Sequence, residues 1–266
     1  DIDVMWMDRG TTIRSAQKDD SLDEHDTLGN GSLIIFLLNG SKPPLDDLRV
    51  RQALSHAWDQ TLAMKVFYRN TQTEITHPYG SLLDCGEAGY RAHDIEKAKQ
   101  LLADYGQPVA FEMIHTTTPR GREVGQLMQQ LFKRVGVTLN LKPVDQLQLR
   151  QRVFTNNYEM SGWRIGDIPD QGPQLFGLFH SKSGYNITKY RAAEMDALLE
   201  QQRLLTDAEA RGELLCRIAE TINRDAPILY AGGRRHYAFT RQRLKGLPAL
   251  AYGLIRLGHA WVTDGK

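Results

Sequence analysis

The chain has 266 residues, with 33 basic against 32 acidic side chains and hydrophobic and charged fractions of 41% and 24%. That composition excludes a disordered chain, and the charge balance lacks the basic excess that marks a nucleic-acid binder. The longest apolar run, Leu33 to Leu38, is far too short to span a membrane.

Ser32 to Asn39 is an apolar run of strand length between turn signals, and it reads as a buried strand. Asn39-Gly40 and Pro43-Pro44 break the chain, and Asp46 and Asp47 then precede a helix with Val50, Ala53, Leu54, Ala57 and Trp58 on one face. The stretch from Arg69 to His93 reads as irregular. Asp94 caps a helix with the stripe Ile95, Ala98, Leu101, Leu102 and Tyr105, and Gly106 ends it. Val109 to His115 is a strand and Thr116 to Gly121 a loop. Val124, Leu127, Met128, Leu131, Phe132 and Val135 form one helix face, stopped by Gly136. Val137, Leu139 and Leu141 alternate as a second strand, so the two strands are expected to be parallel with a right-handed crossover. Further helices are read at Gln146 to Phe154, Ala193 to Leu204 and Asp207 to Asn223, with Thr206 and Glu209 at capping-box spacing. Ser161 to Tyr190 reads as a long irregular segment, and Ile228 to Thr263 as strands and turns. The class is α/β.

Chemistry is sparsely signalled. GxSxG, P-loop, GxGxxG and HExxH patterns are absent, and the eight histidines have no motif-quality partner. The residues give no cofactor, no metal site and no enzyme. Cys85 and Cys216 are inconclusive: they could pair in an oxidising compartment, yet for Cys216 on a helical apolar stripe a buried, inert thiol is the commoner case. Asn186-Ile187-Thr188 matches a glycosylation acceptor and is read as accidental.

Two places suit a ligand. Beyond the carboxyl end of a strand, the loop His115 to Gly121 offers the Thr117 hydroxyl, Arg120 and backbone N–H groups to an anion or a peptide carbonyl; the plain alternative is a threonine-capped turn. The second is Gly162 to Asp170. Trp163 with Asp167 offers an apolar face and a charge to an ammonium-bearing ligand, whereas Trp163 in the core and Asp170 as a helix cap is the alternative. Tyr185, Asn186 and Tyr190 are candidates for the same surface.

The segment Asn39-Gly40-Ser41-Lys42-Pro43-Pro44-Leu45-Asp46-Asp47-Leu48-Arg49-Val50-Arg51-Gln52-Ala53-Leu54 resembles the N-x-x-x-x-P-[FL]-x-D-x-x-V-R-x-A-[IL] signature of extracytoplasmic solute-binding proteins of family 5. The likeness continues through Lys97-Ala98-Lys99-Gln100-Leu101-Leu102, Val124 to Val137, Gly162-Trp163 with Asp167-Ile168-Pro169-Asp170, Asn186 to Tyr190, Asp196 to Leu199, and Arg211 to Pro227. One extra residue separates Trp163 from Asp167, and Gln171 stands where the family has Pro.

The resemblance implies a type II periplasmic binding fold of two hinged lobes. Residues 1–38 would be the tail of the first lobe and the hinge, 39–226 the complete second lobe and 227–266 the return to the first. The beginning Asp1-Ile2-Asp3-Val4 reads as the interior of a longer polypeptide, so the chain is expected to be a C-terminal part that binds weakly alone. The implied function is the substrate-binding component of an ABC importer: a periplasmic monomer that binds a peptide or other small solute and docks on an inner-membrane permease. Asp167 matches the residue that takes the ligand's amino terminus. The expected ligand-binding residues are Trp163, Asp167, Thr117, Arg120 and Tyr185. The alternatives are a sensor domain of a transcriptional regulator and an enzyme.

Overall fold

The computed structural model describes residues 2–166, 168–250 and 254–263, and only the backbone of 28–32. A six-stranded mixed sheet runs through it. In chain order its strands are β1 (Val4–Met7), β2 (Leu22–Leu38), β3 (Ala110–Thr116), β4 (Thr138–Val144), β5 (Met160–Ile165) and β6 (Ile228–Arg241). Their spatial order is β1-β6-β2-β5-β3-β4. β3 runs parallel to both β4 and β5, and the other pairings are antiparallel. A short hairpin joins β7 (Leu244–Lys245) to β8 (Trp261–Val262).

The run at Leu33 to Leu38 is continuous because both faces of its strand are buried. Leu33, Ile35 and Leu37 enter one apolar core, while Phe36 and Leu38 enter the other. The first core is closed by α6 (Gln146–Phe154), α7 (Gly172–Phe179), α8 (Ala193–Gln201) and α9 (Ala208–Asp225). The second is closed by α2 (Leu48–Ala57), α3 (Gln60–Tyr68), α4 (Ile95–Tyr105) and α5 (Pro119–Arg134). A smaller cluster joins α1 (Gly10–Ala16) to β1 and the far end of β6.

Aspartates start many of the helices. The carboxylates of Asp47, Asp59, Asp94, Asp145 and Asp207 each accept an N–H from the first turn they precede. Each such cap contributes about 1 kcal/mol. The Asp207 cap, which accepts from Ala210 N at 2.8 Å, replaces the capping box expected of Thr206 and Glu209. Asp170 also caps, one residue early: its carboxylate accepts the N–H of Gly172 at 2.9 Å and pairs with Arg211 at 2.9 Å.

Other differences have physical causes. The segment read as irregular from Ser161 to Tyr190 holds β5 as well as α7, the helix expected behind an Asp170 cap; Gly162 and Arg164 hide the strand pattern, and pairing with β2 and β3 supplies it. β2 extends back to Leu22 through polar residues because β6 pairs with it along that length. α5 opens at Pro119, inside the expected loop, where Thr118 caps Gly121 N. Cys85 and Cys216 are bonded, with Cα atoms 5.2 Å apart, so the reading of Cys216 as a free buried thiol is overturned. The bond ties the irregular stretch after α3 to α9. That stretch also crosses β6 closely: a Cβ at Gly233 would lie 2.7 Å from the Thr73 hydroxyl and from Ile75.

The sequence signature has a structural role. Asn39 is fully buried; its amide donates to Tyr158 O at 2.8 Å, and its oxygen accepts from the Ser41 hydroxyl at 2.8 Å. Arg51 donates to the carbonyls of Leu45, Asp46 and Asp225 at 2.9–3.0 Å, tying the turn before α2 to the end of α9.

Two outcomes follow. Cys85→Ser with Cys216→Ser should lower stability by about 2–4 kcal/mol, because the closed loop is long. A melting temperature unmoved by reductant in the wild type would contradict the bond. Asn39→Ala leaves the buried carbonyl of Tyr158 without its partner and should cost about 2 kcal/mol, read as a shifted urea midpoint at constant m value.

Candidate functional site

The carboxyl ends of the parallel strands β3, β4 and β5 open onto one groove of about 840 Å³, within the usual range for small-molecule sites. β3 contributes Met113, His115 and Thr116; α6, directly after β4, contributes Arg150 and Phe154; β5 contributes Gly162, Trp163 and Arg164. The rest of the lining includes Asp8 and Arg9 ahead of α1, Phe67 and Tyr68 at the end of α3, and Arg234 on β6.

Arg120, Trp163 and Tyr185 line this groove. Trp163 is half-buried: it packs on the first core and meets Phe154 edge-to-face with centroids 5.8 Å apart. Phe154 lies 5.7 Å from Tyr185, so three rings from α6, β5 and the loop after α7 form one aromatic wall. Trp163 thereby meets both readings, since one side of the ring packs inward and another lines the groove. Thr117 does not join them; it lines a separate hollow of about 370 Å³ with Arg122, Gln126 and Leu141. Asp167 lies outside the described residues. Asn186 and Tyr190 are buried away from the groove: the Asn186 amide donates to His180 O and Tyr190 O, and the Tyr190 hydroxyl donates to Asp225. Burial of the Asn186 side chain also removes it as a sugar acceptor.

Arg120 is held by α3. Its guanidinium sits 4.7 Å over the Tyr68 ring and 5.4 Å over Phe67, and Nη2 donates to Phe67 O at 3.2 Å. Its Nη1 is buried without a hydrogen-bond partner. Burial pushes the Tyr68 phenol pKa up, and the positive charges of Arg120, Arg164 and Arg234 oppose that rise while Asp8 adds to it.

Sequence reasoning did not place Arg9, Phe67, Tyr68, Arg150, Phe154 or Arg234 in a groove. Arg150 and Phe154 carried a usable signal: spaced four apart on α6, they share a helix face. No group of three or more His, Cys, Asp or Glu side chains with metal-holding geometry occurs among the described residues. No helix among them is long and apolar enough to cross a membrane.

The family described as "Bacterial extracellular solute-binding proteins, family 5 Middle" matches residues 1–186. Heme-binding protein A of Haemophilus influenzae is 27% identical over 241 residues, covering 86% of this chain and 44% of that protein. The probable di/tripeptide-binding protein 5 of Pseudomonas aeruginosa is also 27% identical, over 255 residues, covering 91% and 48%. The chain thus spans about half the length of the curated relatives it matches. Among solved structures, the ABC transporter-associated periplasmic binding protein DppA of Helicobacter pylori, in complex with the peptide STSA, superimposes with a TM-score of 0.87 at 19% identity. That superposition covers 98% of this chain and 52% of the other. HbpA2 of Haemophilus parasuis gives 0.85 at 22% identity, covering 98% and 54%. The relatives are binding proteins rather than enzymes. A match over residues 1–186, together with a fold shared along nearly the whole chain, makes this polypeptide a member of the family 5 extracellular solute-binding proteins, with the type II periplasmic binding fold.

Proposed function

We propose that this chain forms one wall of the ligand cleft in the substrate receptor of an ABC importer, and that the solute is a peptide. The observation that carries the reading is the groove itself. It sits at the carboxyl ends of parallel strands, where open α/β sheets bind ligands, and it combines an aromatic wall with side chains able to hold a peptide's polar ends. Relatives named for dipeptides, oligopeptides and di/tripeptides support the choice of ligand.

In this proposal the ligand is enclosed when a second wall closes over the groove. Closure removes it from water, and the closed form is the one a membrane permease recognises. The receptor works outside the cytoplasmic membrane as a monomer, a setting in which the Cys85–Cys216 bond persists. Residues 39–226 act as the second lobe, and 1–38 and 227–266 belong to the first. Trp163 and Tyr185 hold apolar side chains of the peptide. Arg120 meets a carbonyl or carboxylate. Asp167, by its place in the family motif, takes the amino terminus.

Two measurements test this with the full-length gene product. Saturating tripeptide should change the tryptophan emission, and Trp163→Phe should remove most of that change while leaving the fold intact; emission that never responds to peptide would overturn the aromatic-wall assignment. Asp167→Ala should weaken peptides with a free amino terminus by about 10- to 100-fold, the value of one charge-assisted hydrogen bond, and leave N-acetylated peptides unaffected. Equal wild-type affinity for free and acetylated peptides, measured by calorimetry, would remove Asp167 from the site.

A further inference from the structure

Over the whole chain, positive and negative side chains nearly cancel. The groove departs from that balance: its described lining holds Arg9, Arg120, Arg150, Arg164 and Arg234 against the carboxylate of Asp8, an excess that the Asp167 carboxylate assigned to the site above lowers by only one. The five arginines come from five places in the sequence, so the excess is not one basic run that happens to pass by.

Most of these cations have not spent their charge inside the fold. Some arginines elsewhere in the molecule are paired within the fold: Arg152 with Glu112, Arg211 with Asp170, Arg224 with Glu194 and Asp225. Among the described residues, Arg9, Arg150 and Arg164 have no carboxylate within ion-pair distance. Arg120 meets two aromatic faces and one carbonyl, which leaves Nη1 buried and unpartnered. Packing also fixes where the charges stand. A Cβ at Gly10 would lie 2.2 Å from Tyr68 O, so the start of α1, with Arg9 beside it, is pressed against the same residue on which Arg120 rests. Arg164 is set by the sheet, as the register partner of Ile34 on β2.

Enclosure raises the cost of leaving these cations uncompensated. Stripping water from a guanidinium without supplying an acceptor is unfavourable, and charge-assisted bonds to carboxylate oxygens are among the strongest a protein makes. A neutral ligand of the right shape would leave several cations unpaired, and a cationic one would add repulsion; both are rejected by electrostatics rather than by shape. We propose that the groove selects solutes bearing two or more anionic groups, so that among peptides it prefers those with acidic side chains. This inference rests on the solute-binding reading of the groove and specifies the ligand class it takes.

The full-length gene product should be titrated with Glu-Ala-Glu, Ala-Ala-Ala and Lys-Ala-Lys, and separately with 1-pyrenebutyrate and 1-pyrenebutanol, an aromatic pair differing only in charge. The expected result is at least tenfold tighter binding of Glu-Ala-Glu than of Ala-Ala-Ala, Lys-Ala-Lys weakest, and pyrenebutyrate ahead of pyrenebutanol. The acidic advantage should shrink at high salt and in Arg164→Gln, with Arg120→Gln as an independent second variant. If Ala-Ala-Ala or Lys-Ala-Lys binds as tightly as Glu-Ala-Glu, the charge inference falls and the peptide reading stands. If no peptide binds but pyrenebutyrate outbinds pyrenebutanol, the charge inference stands and the peptide reading falls. If no peptide binds and the two pyrene probes do not differ, both fall.

Discussion

The pairing of β2 with β6 is the constraint on which the rest of the molecule depends. Their contact runs from Leu22 opposite Arg241 to Leu37 opposite Ile228, and it places the two strands at the middle of the sheet. On one side this pair carries β1 and α1, and on the other β5, β3 and β4. Every wall of the groove is therefore referred to it: Ile34 and Phe36 of β2 and Ala231 and Arg234 of β6 lie in the groove beside residues carried by the flanking elements. Such a central pair has to be buried on both faces, which is why Leu33 to Leu38 feeds two cores with alternate side chains. A one-residue slip would exchange the two faces and move the whole set at once.

The family was legible in the sequence and the groove mostly was not, and the two facts have one explanation. The signature from Asn39 to Leu54 is local: a buried amide organises a turn, an aspartate caps a helix, and an arginine on that helix collects three carbonyls. Short-range hydrogen bonding leaves a fixed spacing in the chain, and spacing can be read. The same holds for the other aspartate caps, for Gly106 ending α4, and for the strand–helix–strand unit of β3, α5 and β4, whose parallel pairing was expected from connection length alone.

The groove follows the opposite rule. Arg9, Tyr68, Arg120, Phe154, Trp163 and Arg234 sit on α1's entry, α3, α5, α6, β5 and β6, and only the sheet order brings them together. Their spacing in sequence carries no trace of that meeting. Trp163, Arg120 and Tyr185 were legible because each lies near the carboxyl end of a readable strand or in a segment that looked irregular. Thr117 was equally legible, yet it faces a different hollow, since adjacent residues leaving a strand end point in opposite directions. The disulfide was illegible for the same reason as the groove: Cys85 and Cys216 are 131 residues apart, and the fold alone juxtaposes them.

The division of labour inside the groove follows from what each kind of contact can discriminate. The aromatic wall of Phe154, Trp163 and Tyr185 offers area, and area rewards almost any apolar group; one methylene more or less changes binding little. Charges behave differently, because an unmatched one in an enclosed site costs more than a matched one gains. The arginines on the groove walls are also anchored by the scaffold: Arg120 by the rings at the end of α3, Arg164 by the ladder to β2, Arg150 by α6. A cation whose backbone is set by a helix or strand can follow a poorly matched ligand only as far as its side chain reaches, so position contributes to its selectivity. If the groove selects by charge as proposed, a surface with permissive rings and several arginines would accept many shapes and few charge patterns. Such a receptor would tolerate variation in side-chain size while holding its solutes to one sign of charge.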